Sequence, residues 1–307
     1  MIIKTKFIMN KSLCPIVLGT AQFGSAYGIA NKTGWPGQAT ATAIVQEAWG
    51  NGIREFDTAQ GYGTSEEVLG KALKELGLTK DVLVISKFNP ALDHLSAVAM
   101  SDALNESLSR LGVPYLFGMM LHKEEILSLW DKGLVEILHE LVLSGRIKHI
   151  GVSVYSPDKA IQALNTEGVD MVQLPTNILD RRFEKAGVFQ LADKMGKKIY
   201  IRSVFLQGLI LMNPEEIPEK MAYARPVIDK LRSLSADEGL SRQELALGYI
   251  RAEMPNAGIV FGADTPEQVR ENRACRERTL PASLVPVIKE TFNDVDERIL
   301  NPSLWPK

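Results

Sequence analysis

Eight short apolar runs alternating with segments of helical period predict a closed (β/α)8 barrel for this 307-residue chain. Two further observations point the same way. Most of the runs are apolar at consecutive positions, the pattern of parallel strands covered on both faces. Glycines recur where a helix must stop and turn back, a left-handed position that favours a residue without a Cβ. No Ser/Gly-rich linker, low-complexity tract or long charge run interrupts the alternation, so one domain over residues 1–307 is expected.

The first strand is predicted at 14–20 (C-P-I-V-L-G-T), followed by a long loop carrying Tyr27 and Trp35 and a helix at 40–49. The second strand, 55–58 (E-F-D-T), leads to a helix at 65–76 with a Thr-Ser start. Strands at 82–87, 115–121 and 149–154 are followed by helices at 96–111, 130–144 and 157–164, the last opening on Pro157. Strands at 171–174 and 198–204 precede helices at 183–195 and at 226–237 with 242–251. A strand at 258–261 and a helix at 266–276 after Thr265 complete the repeats, and 284–300 reads as an extra amphipathic helix. Gly52, Gly77, Gly112, Gly145, Gly168 and Gly196 mark the helix ends. Residues 214–225 form a longer irregular connection than two helices need.

An apolar share of 45%, a charged share of 23% and a formal charge of −2 are those of a soluble globular protein without a broad attraction for nucleic acid or anionic membrane. A small-molecule partner is expected. Cys14 and Cys275 form no C-x-x-C motif and no framework of several disulfides, which fits a reducing compartment. The N-terminal apolar run is short and interrupted by Pro15, and nothing approaches the roughly 18 apolar residues of a membrane helix. A cytoplasmic protein is expected.

In a barrel of this kind the loops at the C-terminal ends of the strands build the active site, so polar residues where apolar runs stop carry the information. Strand two ends at Asp57 with Tyr62 beyond it, strand three at Lys87, and strand four at His122. Strand five contributes Ser153, strand six Gln173 and Asn177, and strand seven Arg202 and Ser203. A lysine ending an apolar strand needs a carboxylate, and Asp57 on the adjacent strand supplies one. An ammonium beside a phenol favours the phenolate, so the Tyr62 pKa is expected to fall toward neutrality. Tyr62 could then protonate a carbonyl oxygen that His122 polarises, while hydride comes from a cofactor. His94, His139 and His149 share no metal-ligand spacing and are read as surface or packing residues.

Together these residues resemble the aldo-keto reductases, a (β/α)8 family using NADPH or NADH. The resemblance runs from about residue 15 to residue 272. Its most specific part is G-x-R-x-F-D-T-A-x-x-Y-G-x-S-E from Gly52 to Glu66, followed by S-K at Lys87 and L-H at His122. It implies Tyr62 as general acid, Lys87 and Asp57 as the pair tuning it, and His122 as the carbonyl-orienting group. It further implies that Ser153 and Gln173 hold the nicotinamide carboxamide and that Gly19, Thr20 and Gln22 border the nicotinamide ribose. Ser203, Leu206, Gln207 and Gly208 are implied along the pyrophosphate, and Gly262, Gln268, Glu271 and Asn272 at the adenosine.

Three positions depart from that pattern. Val154 follows Ser153 where the family has Asn, leaving an amide contact missing or supplied by Asn177. Arg202 stands where an aromatic stacks under the nicotinamide; it brings charge for an acidic substrate or cofactor phosphates, or else forms a salt bridge in the mouth. Asp264 and Thr265 stand where NADPH users carry Arg or Lys, and a carboxylate there repels a 2′-phosphate. Asp264 thus argues for NADH tolerance, while Arg270 or Arg273 could restore NADPH binding from a different direction, so NADPH or NADH is the expected cofactor. The leading expectation is an NAD(P)H-dependent aldehyde or ketone reductase, with a sugar-like carbonyl as one candidate. A lyase forming a Schiff base on Lys87 and a nucleotide-binding redox sensor or accessory protein are the competing classes.

Overall fold

The computed structural model describes residues 15–31 and 34–306. Its parallel strands close into a barrel in sequence order: β1 (Ile16–Gly19), β2 (Glu55–Asp57), β3 (Leu83–Phe88), β4 (Leu116–Leu121), β5 (Ile147–Ser153), β6 (Met171–Pro175), β7 (Lys198–Arg202) and β8 (Gly258–Gly262), with β8 returning to pair with β1. The (β/α)8 fold expected from the alternation is present. The expected start of the first strand, Cys14, lies outside the described residues. Cys275 is a free thiol.

Around the barrel run α1 (Gln38–Gly50), α2 (Ser65–Glu75), α3 (Ala97–Leu111), α4 (Leu134–Leu143), α5 (Pro157–Asn165), α6 (Arg182–Lys185), α7 (Val188–Met195), α8 (Arg225–Asp237), α9 (Arg242–Glu253) and α10 (Pro266–Glu277), followed by α11 (Leu284–Thr291) and α12 (Glu297–Leu300). The six glycines expected at helix ends all have φ between 65° and 86°. No helix among the described residues is long and apolar enough to cross a membrane.

Among the boundaries that differ from the sequence reading, four have a local cause. The segment 183–195 is two helices, because Gly187 at φ 71° turns left-handed between α6 and α7. The segment 130–144 becomes α-helical only at Leu134, after Gly133 at φ 110° has ended a 3-10 stretch over Glu124–Lys132. The segment 284–300 divides where the Asp296 carboxylate accepts from the Arg298 amide and starts α12. β7 stops at Arg202, two residues early, because Ser203 at φ 61° cannot continue a strand. The connection 214–225 contains two 3-10 turns, Pro214–Glu216 and Glu219–Ala224.

The core has two parts. A large one lies between the barrel and its helices and includes Leu69 and Leu73 of α2, Leu104 and Leu111 of α3, and the outward residues Leu18, Phe56 and Val84. A second fills the barrel itself with Val17, Ile85, Met120, Met171, Tyr200 and Val260. The interior is therefore a packed plug, and a ligand can only sit above it.

Candidate active site

Side chains of a strand alternate between faces, so every second residue of a barrel strand points inward. The plug residues Ile85, Met120, Met171 and Tyr200 thus determine which side chains form the next inward layer. Two positions further along each strand stand Lys87, His122, Gln173 and Arg202. β2 and β5 add Asp57 and Ser153, brought beside Gly19 and Gln173 by the strand registers. One layer thus gathers residues as far apart in the chain as Asp57 and Arg202, 145 positions.

Lys87 Nζ donates to both Asp57 carboxylate oxygens, at 2.8 and 2.7 Å, and to the Thr58 carbonyl at 2.9 Å. Lys87 is 1% and Asp57 4% exposed, so the ion pair is removed from water. Gln173 Nε2 adds a donor to Asp57 at 2.7 Å, while the Gln173 Oε1 is buried with no partner in the protein. The Tyr62 ring centre lies 5.0 Å from Lys87 Nζ, and the His122 ring meets Tyr62 edge-on with 5.5 Å between centroids.

The expected fall of the Tyr62 pKa is not found. Burial and then the Asp57 carboxylate push it well above the ordinary phenol value, with Arg202 pulling weakly the other way. Desolvation decides: the phenol is buried and the Asp57 carboxylate adds to the rise, which the Lys87 ammonium 5.0 Å from the ring centre does not reverse. Tyr62 is therefore a protonated phenol at neutral pH. His122 is pushed down to about 3 by burial and by the Lys87, Arg202 and Lys123 charges, which leaves a neutral imidazole. Burial also lowers the Lys87 pKa, against the opposing pull of Asp57.

The loop bearing Tyr62 is fastened on both sides. The Ser65 hydroxyl donates to the Thr20 carbonyl at 2.7 Å and lies 2.8 and 3.0 Å from the Thr20 and Thr58 hydroxyls. Gln60 donates to Ala103 O and Ser107 Oγ in α3, at 2.8 and 2.9 Å, and accepts from the Asn89 amide. Behind it the buried Glu66 accepts from Ser86, Ser107 and Arg110. Across the front, a Cβ on Gly24 would lie 1.7 Å from the Tyr62 carbonyl, so only glycine lets the loop after β1 press on this one.

A cavity of ≈ 340 Å3 occupies the mouth. Asp57 and Tyr62 form part of its wall with Gly19, Gln22, Arg202 and Ser203, and it extends past Gln207 and Gly208 to Gly262, Asp264, Gln268, Glu271 and Asn272. Thr20, Lys87, His122, Ser153, Gln173 and Leu206 do not contribute to that wall. Thr20 is fully buried and its hydroxyl donates to the Asp57 carbonyl at 3.0 Å, an anchoring part rather than an exposed one.

After β7 the backbone turns left-handed at Ser203, Leu206, Gln207 and Gly208, with φ of 61°, 48°, 54° and 94°. Three non-glycine residues in that region cost about 1–3 kcal/mol each. Such a turn can aim backbone N–H groups into an anion-binding concavity. The Ile29 amide pins it by donating to Gln207 O at 3.1 Å. The orphaned Gln173 Oε1 and a half-buried Asp264 whose Oδ1 also lacks a partner are two acceptors a nucleotide's amide and hydroxyl donors would satisfy. The residues present therefore fit a nicotinamide dinucleotide.

Asn177 cannot replace the missing amide contact: its Nδ2 donates to Ser203 O at 3.2 Å and its Oδ1 accepts from the Leu179 and Asp180 amides. Arg270 is held by Glu47 and Glu267, both at 2.8 Å, and Arg273 donates to Asn51 O at 3.3 Å, so both face α1 and neither lines the cavity. The salt bridge considered for Arg202 is absent among the described residues; its guanidinium stacks 4.2 Å over the Tyr155 ring. Tyr155 and Gln243 escaped the sequence reading. Gln243 lines the cavity from α9 and donates to Asn272 at 3.0 Å, a contact across 29 residues that no local pattern announces. His94 and His149 pack edge-on against Phe88 and Phe117.

The model of the Aldo/keto reductase family matches residues 15–292. The NADH-specific methylglyoxal reductase of Escherichia coli is 29% identical over 264 residues, 75% of this chain and 80% of that protein. An aldo-keto reductase from Bacillus halodurans in its holo form superposes with a TM-score of 0.74 at 24% identity, over 91% of this chain and 92% of that one. An aldo-keto reductase from Klebsiella pneumoniae in complex with NADPH gives 0.70 at 21% identity, over 91% of each chain.

Proposed function

Because the chain belongs to the aldo/keto reductase family, we propose that it reduces the carbonyl group of a small aldehyde or ketone to an alcohol, with Tyr62 giving the proton. The observation that carries the reading is the water-free Asp57–Lys87 pair beside a protonated Tyr62 at the cavity wall. A bound reduced nicotinamide supplies the hydride.

The protein's residues do the rest. Tyr62 holds its proton at neutral pH and releases it to the carbonyl oxygen as that oxygen gains charge. The neutral His122 beside it offers one N–H donor for the same oxygen, and Lys87, fixed by Asp57, carries the positive charge that stabilises the phenolate left behind. Gln173 and Ser153 would hold the carboxamide, and the loop at 203–208, whose Ser203, Gln207 and Gly208 line the cavity, would receive the pyrophosphate. Lys87 is a poor Schiff-base nucleophile, since its ammonium already donates to three acceptors.

NADH is the favoured cofactor in this reading. The half-buried Asp264 carboxylate would face the adenosine ribose, where it accepts from free hydroxyls and repels a 2′-phosphate, and burial without a partner raises its pKa. Turnover of a panel of carbonyl compounds with NADH and NADPH, with Tyr62→Phe as control, tests both statements. The substitution is expected to lower kcat/KM by about 10²–10⁴ while nucleotide still binds. An unchanged rate would remove Tyr62 from the mechanism, and a lower KM for NADPH than for NADH would remove the Asp264 argument.

A further inference from the structure

Arg202 is the inward residue of β7 at the level of Lys87 and His122, and it lines the cavity together with Tyr62 and Tyr27. Its surroundings do not balance its charge. The guanidinium lies 3.4 Å from Ser203 Oγ and 3.5 Å from the Val154 carbonyl, two neutral acceptors at the limit of hydrogen bonding, and no carboxylate among the described residues pairs with it. Lys87, the other cation of this layer, is neutralised by Asp57. Of the remaining acids on the wall, Asp264 and Glu271 belong to the loop and helix after β8, and neither engages the guanidinium.

A half-buried guanidinium with weak neutral partners is short of an anion. The Arg202 Cζ lies 4.2 Å from the Tyr155 ring centre, a cation–π contact that uses none of its N–H donors and leaves them for an anion stronger than the two distant neutral acceptors. Its field acts on the acid end of the cavity: it helps depress His122 and offsets part of the rise at Tyr62.

We propose that Arg202 recognises a carboxylate or phosphate carried by the substrate itself, so that the carbonyl compound reduced at Tyr62 is an anion. This rests on the reductase reading above and adds the class of its substrate. The fork geometry of the guanidinium matches two oxygens of either group, and the charge-assisted bonds it would form are stronger than the neutral contacts it now makes. The cofactor's pyrophosphate is a second source of the same chemistry, and the dependence of NADH affinity on Arg202 distinguishes the two.

The test compares matched carbonyl pairs at saturating NADH: succinate semialdehyde against butanal, and glyceraldehyde 3-phosphate against glyceraldehyde. The native protein is expected to prefer an anionic member in kcat/KM by about ten- to a hundredfold, the range of a charged hydrogen bond. Arg202→Met should collapse that ratio toward one through KM, and Arg202→Lys should keep part of it. Non-reducible succinate or inorganic phosphate should inhibit the native protein competitively against the carbonyl compound, a readout that needs no variant to fold. NADH fluorescence titration reads the cofactor's share: Arg202→Met should lose less NADH affinity than it loses in the anionic-to-neutral ratio of kcat/KM. Ratios near one in the native protein overturn the proposal, as does an Arg202→Met variant that keeps the ratio but loses NADH affinity, since the guanidinium then serves the cofactor. Failure to turn over all four compounds would overturn the reductase reading and this proposal with it, whereas equal turnover of all four would overturn this proposal alone.

Discussion

Lys87→Met removes an ammonium from the driest polar position of the barrel while keeping most of its stem. At 2.7 Å the Lys87–Asp57 attraction is roughly 6 kcal/mol at an effective dielectric of 20, a gross figure that the desolvation of both groups offsets. The relevant quantity is what remains after one partner is lost. Asp57, 4% exposed, would retain Gln173 Nε2 as its side-chain donor, and the Thr58 carbonyl would lose its ammonium. Breaking one side of a buried pair costs about 3–5 kcal/mol. For a chain of this size the thermal midpoint should fall by roughly 5–8 °C. Lys87→Met combined with Asp57→Asn leaves no uncompensated charge, so the two losses should fall short of additive by about 1–3 kcal/mol. Urea unfolding at neutral pH, followed by far-ultraviolet circular dichroism on the native, single and double variants, measures all three. A single-variant loss under about 1 kcal/mol would refute the claim that the pair is solvent-excluded, and strictly additive losses would refute the claim that its members depend on each other.

The remaining predictions concern the neighbours of that pair. Gly208→Ala places a Cβ 2.5 Å from the Ala30 Cβ at a backbone φ of 94°, so it should destabilise the fold by about 1–3 kcal/mol and weaken NADH binding in a fluorescence titration; unaltered affinity would show that the left-handed loop does not hold the nucleotide. His122, held near 3 against an ordinary 6.5, should remain a neutral imidazole by nuclear magnetic resonance throughout the range in which a free histidine titrates. Between those values the unfolded chain binds a proton that the folded chain refuses, so this residue makes stability rise with pH and fall on acidification by up to about 1.4 kcal/mol per pH unit. A His122 transition near 6.5 would contradict the burial and charge argument. Asp264→Ser should lower the KM for NADPH relative to NADH by about tenfold, since a like-charge contact is removed; an unchanged ratio would place the discrimination elsewhere.

The sequence was most informative where chemistry and period coincide. Asp57, Lys87 and His122 end apolar runs and Gln173 and Arg202 stand near the ends of theirs, and the two-residue alternation of a strand puts Lys87, His122, Gln173 and Arg202 on the inward face one layer above the plug. That is why the barrel and the Asp57–Lys87 contact could both be anticipated. Strand and helix existence followed from the same periodicities, and the six helix-end glycines from the left-handed turn they serve. The breaks at Gly133 and Gly187 were missed, because a glycine inside an apolar-periodic segment looks the same whether the helix tolerates it or stops there.

Other properties arise only when distant parts of the chain meet. The Tyr62 pKa moves up rather than down because burial removes the phenol's solvent and the Asp57 carboxylate adds to the rise, and neither solvent exclusion nor distance is written in residue order. Arg202 lacks a carboxylate, Arg270 and Arg273 turn toward α1, and Asn177 spends its amide on backbone, all because of which elements pack against them. The strained run from Ser203 to Gly208 has no local signal either, since three of its four left-handed residues are not glycine and are held there by the loop at 28–30 and the barrel rim. Sequence by itself determined the fold and which polar side chains the strand ends carry toward its mouth, because both follow from periodicity and residue type. Tertiary structure alone decided their protonation, their free valences and their charge balance, because those depend on desolvation and on contacts between residues far apart in the chain.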